Sequence, residues 1–134
     1  DGSVFSGPGS AQFVTGTYTL SGTVLSSNAV LAGAVLDGTS GIMSGLWTWT
    51  SGYLATYSTL TVATNGLLIL AGADGTEYNL NGSLTNAGTV RLASGNLQCH
   101  QDSFGGVGRL MNLAGGLVEV QGSANIRLRD LGGK

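Results

Sequence analysis

The sequence predicts an all-β fold, a single solenoid of short stacked strands, and three observations lead there. Glycine is abundant and proline rare, 24 and one among 134 residues, and short apolar runs are punctuated by Gly, Ser, Thr and Asn. That mixture belongs to many short strands joined by tight turns. A glycine-bounded strand recurs along the chain, opening at Gly16, Gly45, Gly66, Gly88 and Gly116, intervals that fall in the range of solenoid repeats. Within each copy apolar and polar positions alternate, the period of a strand with one buried face. Helix is disfavoured throughout, because glycine interrupts nearly every candidate window.

The copies are Gly16–Gly22 (GTYTLSG), Gly45–Gly52 (GLWTWTSG), Gly66–Gly72 (GLLILAG), Gly88–Gly95 (GTVRLASG) and Gly116–Gly122 (GLVEVQG). Aligned, their third position holds Tyr18, Trp47, Leu68, Val90 and Val118, and their fifth Leu20, Trp49, Leu70, Leu92 and Val120. Both columns are apolar or aromatic and therefore face inward. The fourth position, on the opposite side, holds Thr19, Thr48, Ile69, Arg91 and Glu119, and so faces solvent. The alternation places Trp47 and Trp49 in the core rather than on a sugar-stacking surface, and their bulk predicts a wider cross-section on the N-terminal side. It also makes Arg91 and Glu119 neighbours on successive coils. Two copies are preceded by a second motif, Gly82-Ser-Leu84-Thr-Asn86 and Gly108-Arg-Leu110-Met-Asn112. Asn86 and Asn112 then occupy equivalent corners, where a side-chain amide bonds to backbone or stacks on the next Asn. The accompanying glycines are expected to supply positive φ.

This pattern resembles the parallel β-helix. The stretches GSLTNAGTVRLASG (82–95) and GRLMNLAGGLVEVQG (108–122) are similar to the G-x-L-x-N-x-G-T-[VL] coils of large bacterial surface proteins, the filamentous haemagglutinin-like adhesins and autotransporter passengers. The resemblance covers about residues 16–128 and implies one parallel β-solenoid domain over 1–134, of about five to six coils. At about 4.8 Å per coil it would form a rod roughly 25–30 Å long. The competing architecture is an antiparallel sandwich or barrel, with hairpins at Asn65-Gly66 and Asn81-Gly82.

Composition narrows the function. The single cysteine, Cys99, leaves no internal disulfide framework and no cysteine-based zinc site. A net charge of −2 without a basic, aromatic-laced stripe argues against nucleic acid. No apolar run approaches the roughly 20 residues of a spanning helix. Polysaccharide-cleaving β-helices need convergent carboxylates, whereas the acids here are scattered, and only Asp74 and Glu77 are close, in a segment that reads as a turn. Cys99, His100 and Asp102 are too nearly adjacent to converge on one reacting atom, which makes Cys99 a core filler with His100 facing out. Asp37-Gly38-Thr39 and Asp74-Gly75-Thr76 echo each other without the calcium-binding nonapeptide, and Gly105–Gly108 lacks the context of a phosphate loop. Asn81-Gly82-Ser83 is a glycosylation sequon. Ranks of threonine (Thr15, Thr17, Thr19; Thr48, Thr50; Thr59, Thr61) resemble the ice-binding face of some antifreeze solenoids, but the ranks break at Ile69, Arg91 and Glu119.

No catalytic, cofactor-binding or metal-binding residues are therefore assigned. The expected function is a non-enzymatic structural or adhesive solenoid, secreted or at the cell surface. Its partners are further copies joined head to tail, or neighbouring domains of a parent protein. A carbohydrate-binding or carbohydrate-processing β-helix is the alternative, with glycans as ligands. Charge supports head-to-tail contact: residues 1–90 carry four acids and no Lys or Arg, while residues 91–134 carry five Lys/Arg against three acids. A solenoid maps this asymmetry onto its long axis, and heterologous contacts of that kind do not close.

Overall fold

The structure, a computed structural model, describes residues 3–5, 11–55, 58–73, 76–101, 108–122 and 124–130. Among these there is no helix, and every ladder joining two strands is parallel. The antiparallel alternative therefore falls: Asn65-Gly66 and Asn81-Gly82 connect strands that do not pair as hairpins. The strands are β1 (Ser3–Phe5), β2 (Ala11–Phe13), β3 (Thr17–Leu54), β4 (Thr59–Val62), β5 (Leu67–Leu70), β6 (Glu77–Leu80), β7 (Ser83–Asn86), β8 (Thr89–Leu92), β9 (Asn96–Gln101), β10 (Arg109–Asn112), β11 (Leu117–Val120) and β12 (Asn125–Asp130).

Three faces wind about one core, as expected of a β-solenoid. The first stacks β3, β4, β7 and β10, the second β3, β5, β8 and β11, and the third β3, β6, β9 and β12. The strand β3 belongs to all three. At about 3.3 Å per residue its 38 residues would extend well over 100 Å, so it must bend. It does so at glycines such as Gly33 (φ 111°) and Gly52 (φ 103°), a left-handed conformation that glycine adopts without steric penalty. Hydrogen bonds from Val35 N to Gly16 O (2.9 Å) and from Ala55 N to Leu36 O (2.8 Å) show β3 stacking on itself, coil upon coil. The ladders between separate strands amount to about four turns, against the five to six expected.

The inward columns are those the alternation predicts, except that the Gly16–Gly22 copy, with both Tyr18 and Leu20, is not in line with the other four. Trp47 aligns with Leu68, Val90 and Val118, and Trp49 with Leu70, Leu92 and Val120. Tyr18 does not belong to that series. The hydrogen bonds that align Val35 with Thr17 and Ala55 with Asp37 put Tyr18 in line with Leu36 and Leu54, and onward with Leu80 and Cys99 on the third face. The separation of Gly16 from Gly45 spans one short coil plus two further faces, so the two motifs resemble each other without being stacked.

The expected widening toward the tryptophans is not what coil length shows. Ala11 pairs with Ala29 and Gly41 with Leu60, whereas Ser83 pairs with Arg109 and Asn96 with Asn125. The C-terminal coils thus use about half as much chain again. The surplus lies in the connections, since the C-terminal strands of the first two faces keep four residues each. Trp47 is accommodated by small neighbours instead: Ala29, fully buried, lies one short coil before it, and Phe13 stacks on it with ring centroids 6.1 Å apart.

The glycines that open the last three repeats have a steric cause. Gly66, Gly88 and Gly116 are in register, and a Cβ on Gly66 would lie 2.7 Å from Met43 O, one on Gly116 2.6 Å from Asn86 O, and one on Gly88 against Ala63 O. None of the three has positive φ. These corners exclude a side chain because the preceding rung's carbonyl passes too close, whereas the positive φ expected of the corner glycines occurs at others, such as Gly45 and Gly95.

Candidate functional site

The tryptophans are interior, with Trp47 1% and Trp49 2% exposed, so neither offers a stacking platform to a sugar. The Trp47 indole donates to Ser44 O at 3.0 Å. Trp49 packs edge-on against the buried Tyr78 ring, centroids 5.5 Å apart, but its indole N–H has no partner. The void beside it, between Leu31, Leu36, Met43 and Leu68, measures ≈ 10 Å³, about the room one water needs and far below that of a sugar.

The asparagine corner is a connected polar device in an apolar wall. Asn86 is wholly buried, and its Nδ2 donates to Asn112 Oδ1 and to Leu117 O, both at 2.9 Å. Its Oδ1 accepts from Gly88 N at 3.1 Å, and Asn112 Nδ2 donates to Gly116 O at 2.9 Å. A buried amide is tolerated only when paired in this way. One rung earlier the register position is Val62, so the rank begins at Asn86. On the outer side of the second face, Arg91 Nε donates to Glu119 Oε1 at 2.9 Å, in the predicted register.

The candidates for chemistry lie only partly within the described residues. Glu77 is exposed at the start of β6, while Asp74 lies outside the described residues, as do Asp102 and Gly105–Val107. Cys99 is buried in the third-face column, and desolvation pushes its thiol above the ordinary value, opposed by a smaller effect of a backbone hydrogen bond with Leu110. A thiol held neutral in this way is a poor nucleophile. His100 follows it in β9 and aligns with Arg129 of β12. Among the described residues no group of three or more His, Cys, Asp or Glu comes together, and no helix is long and apolar enough to cross a membrane. The threonine ranks are short: Thr61 aligns with Thr85 but is flanked by Ile42 and Met111, and Thr48 is followed by Ile69.

One surface was not legible from the repeat. Register places Leu110, Val118, Val120 and Ile126 in inward columns, in line with the buried Leu84, Val90, Leu92 and Leu97. They stand on the last described rung, and Val120 is 49% and Ile126 43% exposed, against 1% for both Leu92 and Leu97. At the other end Tyr18 is 37% exposed while its column mates Leu36 and Leu54 are buried. The signal available in sequence was position alone: a residue that reads as core, on a rung with nothing stacked beyond it.

Fold and site define a parallel β-solenoid. Comparison with known protein families, with curated proteins and with solved structures finds no match.

Proposed function

We propose that the chain is a non-enzymatic structural or adhesive solenoid of the cell exterior, comparable to the coils of the filamentous haemagglutinin-like adhesins and autotransporter passengers that its G-x-L-x-N motifs resemble. The observation that carries this reading is the continuity of the stack. Inward columns, the asparagine corner and the Arg91–Glu119 pair all keep register from rung to rung. Such a body resists bending and presents its sides as repeated, mostly short polar side chains, which suits a spacer or a display scaffold.

The test sets this reading against the carbohydrate-processing alternative. Purified protein is incubated with a panel of acidic and neutral polysaccharides, and new reducing ends and unsaturated products are measured. In parallel, beads coated with the protein are scored for attachment to cells and immobilised glycans. No turnover is expected on any polysaccharide. Saturable product release would overturn the reading in favour of an enzyme.

A further inference from the structure

We propose that the C-terminal rung, β10–β11–β12, is a docking edge for the N-terminal rung of a second copy of this chain, so that copies join head to tail with their strands and columns in register. The inference rests on the structural reading above and names its partner.

Four observations converge on that occupant. Each strand of the last rung pairs on one side only, β10 with β7, β11 with β8 and β12 with β9, which leaves a row of backbone donors and acceptors without a strand partner among the described residues. The columns above that edge end in exposed apolar side chains, Val120 and Ile126 foremost, which a further rung would remove from water. The opposite end offers strands in the same face order: β1 aligns with 24–26, β2 with 29–31 and Thr17 with Val35. On the first two faces the strand starts also fit, since Ser3 of β1 precedes Ala11 of β2 by the same interval as Arg109 of β10 precedes Leu117 of β11. Finally, residues 1–90, which carry the first rung, are net acidic and residues 91–134, which carry the last, are net basic, so the two ends attract while like ends repel.

The geometry specifies contacts. β10 meets β1, β11 meets β2, and β12 meets the start of β3. On the second face the inward series Trp49, Leu70, Leu92, Val120 continues into Phe13 of the second copy. The outward series Ile69, Arg91, Glu119 continues into its Gln12. Neighbouring parallel strands lie about 4.8 Å apart, within the Cα separation a disulfide spans.

Two measurements test this. Sedimentation velocity over a range of concentrations, at low and high salt, should show mass rising with concentration and falling with salt. Val120→Lys should weaken association at least ~100-fold by leaving a charge unpaired in the contact; thermal melting checks that it stays folded, as expected for a half-exposed site. The double variant Gln12→Cys/Glu119→Cys, oxidised, should run on a non-reducing gel as a ladder of dimers, trimers and higher species. Either single variant should stop at dimers or below, and buried Cys99 should contribute nothing. A concentration-independent monomer at low salt would overturn the proposal and leave the edge to a further coil of a longer chain. Undiminished assembly of folded Val120→Lys, or assembly without a ladder, would overturn the register. These failures leave the non-enzymatic reading intact, because polysaccharide turnover tests it independently.

Discussion

The N-terminal coils and the C-terminal coils solve the same packing problem with different materials. Around β3 the coils are short, as from Ala11 to Ala29 or Gly41 to Leu60, the strand runs through its corners, and Phe13, Trp47 and Trp49 fill the interior. From β7 onward the coils are longer, as from Ser83 to Arg109 or Asn96 to Asn125, and the strands are separate. There the interior is aliphatic, with an amide network at one corner and an ion pair outside. A short coil has little chain with which to fix its register, so it relies on bulky rings against small partners such as Ala29. A long coil has connections to spare, and its strands are held in line by asparagine and by charge. Cohesion in the first region is therefore hydrophobic and non-directional; in the second, part of it is directional and sensitive to single polar atoms.

The sharpest break in that comparison should come from the rings. Trp47→Ala and Trp49→Ala should each destabilise by about 3–5 kcal/mol, as truncation of a buried aromatic does, measured by urea or thermal unfolding. Trp49→Phe separates the ring's two roles. It keeps most of the apolar volume and removes an indole N–H that has no partner, so it should cost much less than alanine. An equal loss would show that the N–H is paired through a water.

The columns offer a comparison within one chemistry. Leu92 and Val120 share a column, yet one is sealed and the other is half open. Leu92→Ala should cost about 2–5 kcal/mol. Val120→Ala should cost well under about 1 kcal/mol at concentrations where the chain is monomeric, as for a substitution outside a sealed core. A large effect of Val120→Ala in a dilute monomer would mean that the last rung is covered within the chain.

The asparagines sharpen the contrast between sealed and open positions of one type. Asn86→Ala leaves Leu117 O, Gly88 N and Asn112 Oδ1 without that partner in a buried corner, and should cost about 1–3 kcal/mol. Asn112→Ala, at the exposed end of the rank, should cost less, because water can replace its bonds. Both are read from unfolding curves.

What the sequence revealed and concealed follows the same division. The columns from Trp47 to Val118 and from Trp49 to Val120 were legible because a glycine opens each of these strands. Gly66, Gly88 and Gly116 cannot change without striking a neighbouring carbonyl, so they mark register as well as turns. Asn86 with Asn112, and Arg91 with Glu119, were legible for the same reason. Tyr18 was misplaced because GTYTLSG repeats the motif on another face, and motif resemblance carries no information about coil length where β3 bends without a break. Burial at the ends was hidden because alternation reports which side a residue faces, not whether another rung lies beyond it.

The smallest expected effect is at Arg91 and Glu119, and its value is diagnostic rather than energetic. The pair is about one-third exposed on both sides, and ion pairs of that kind contribute about 0.2–1 kcal/mol. Arg91→Glu should place two carboxylates in contact on adjacent rungs and destabilise by up to about 1 kcal/mol, with most of the loss screened at high salt. Glu119→Arg should do the same with two guanidinium groups. The double reversal restores an opposite pair in the same two positions, and the fold supplies nothing else on that column to oppose it, since Ile69 lies one rung before Arg91. Recovery of stability in the double variant, measured as a coupling energy at low salt, is therefore expected. Strictly additive losses would mean that these two rungs do not stack in the register that also aligns Val90 with Val118 and Leu92 with Val120. The same result would remove the basis for extending that column into a second copy.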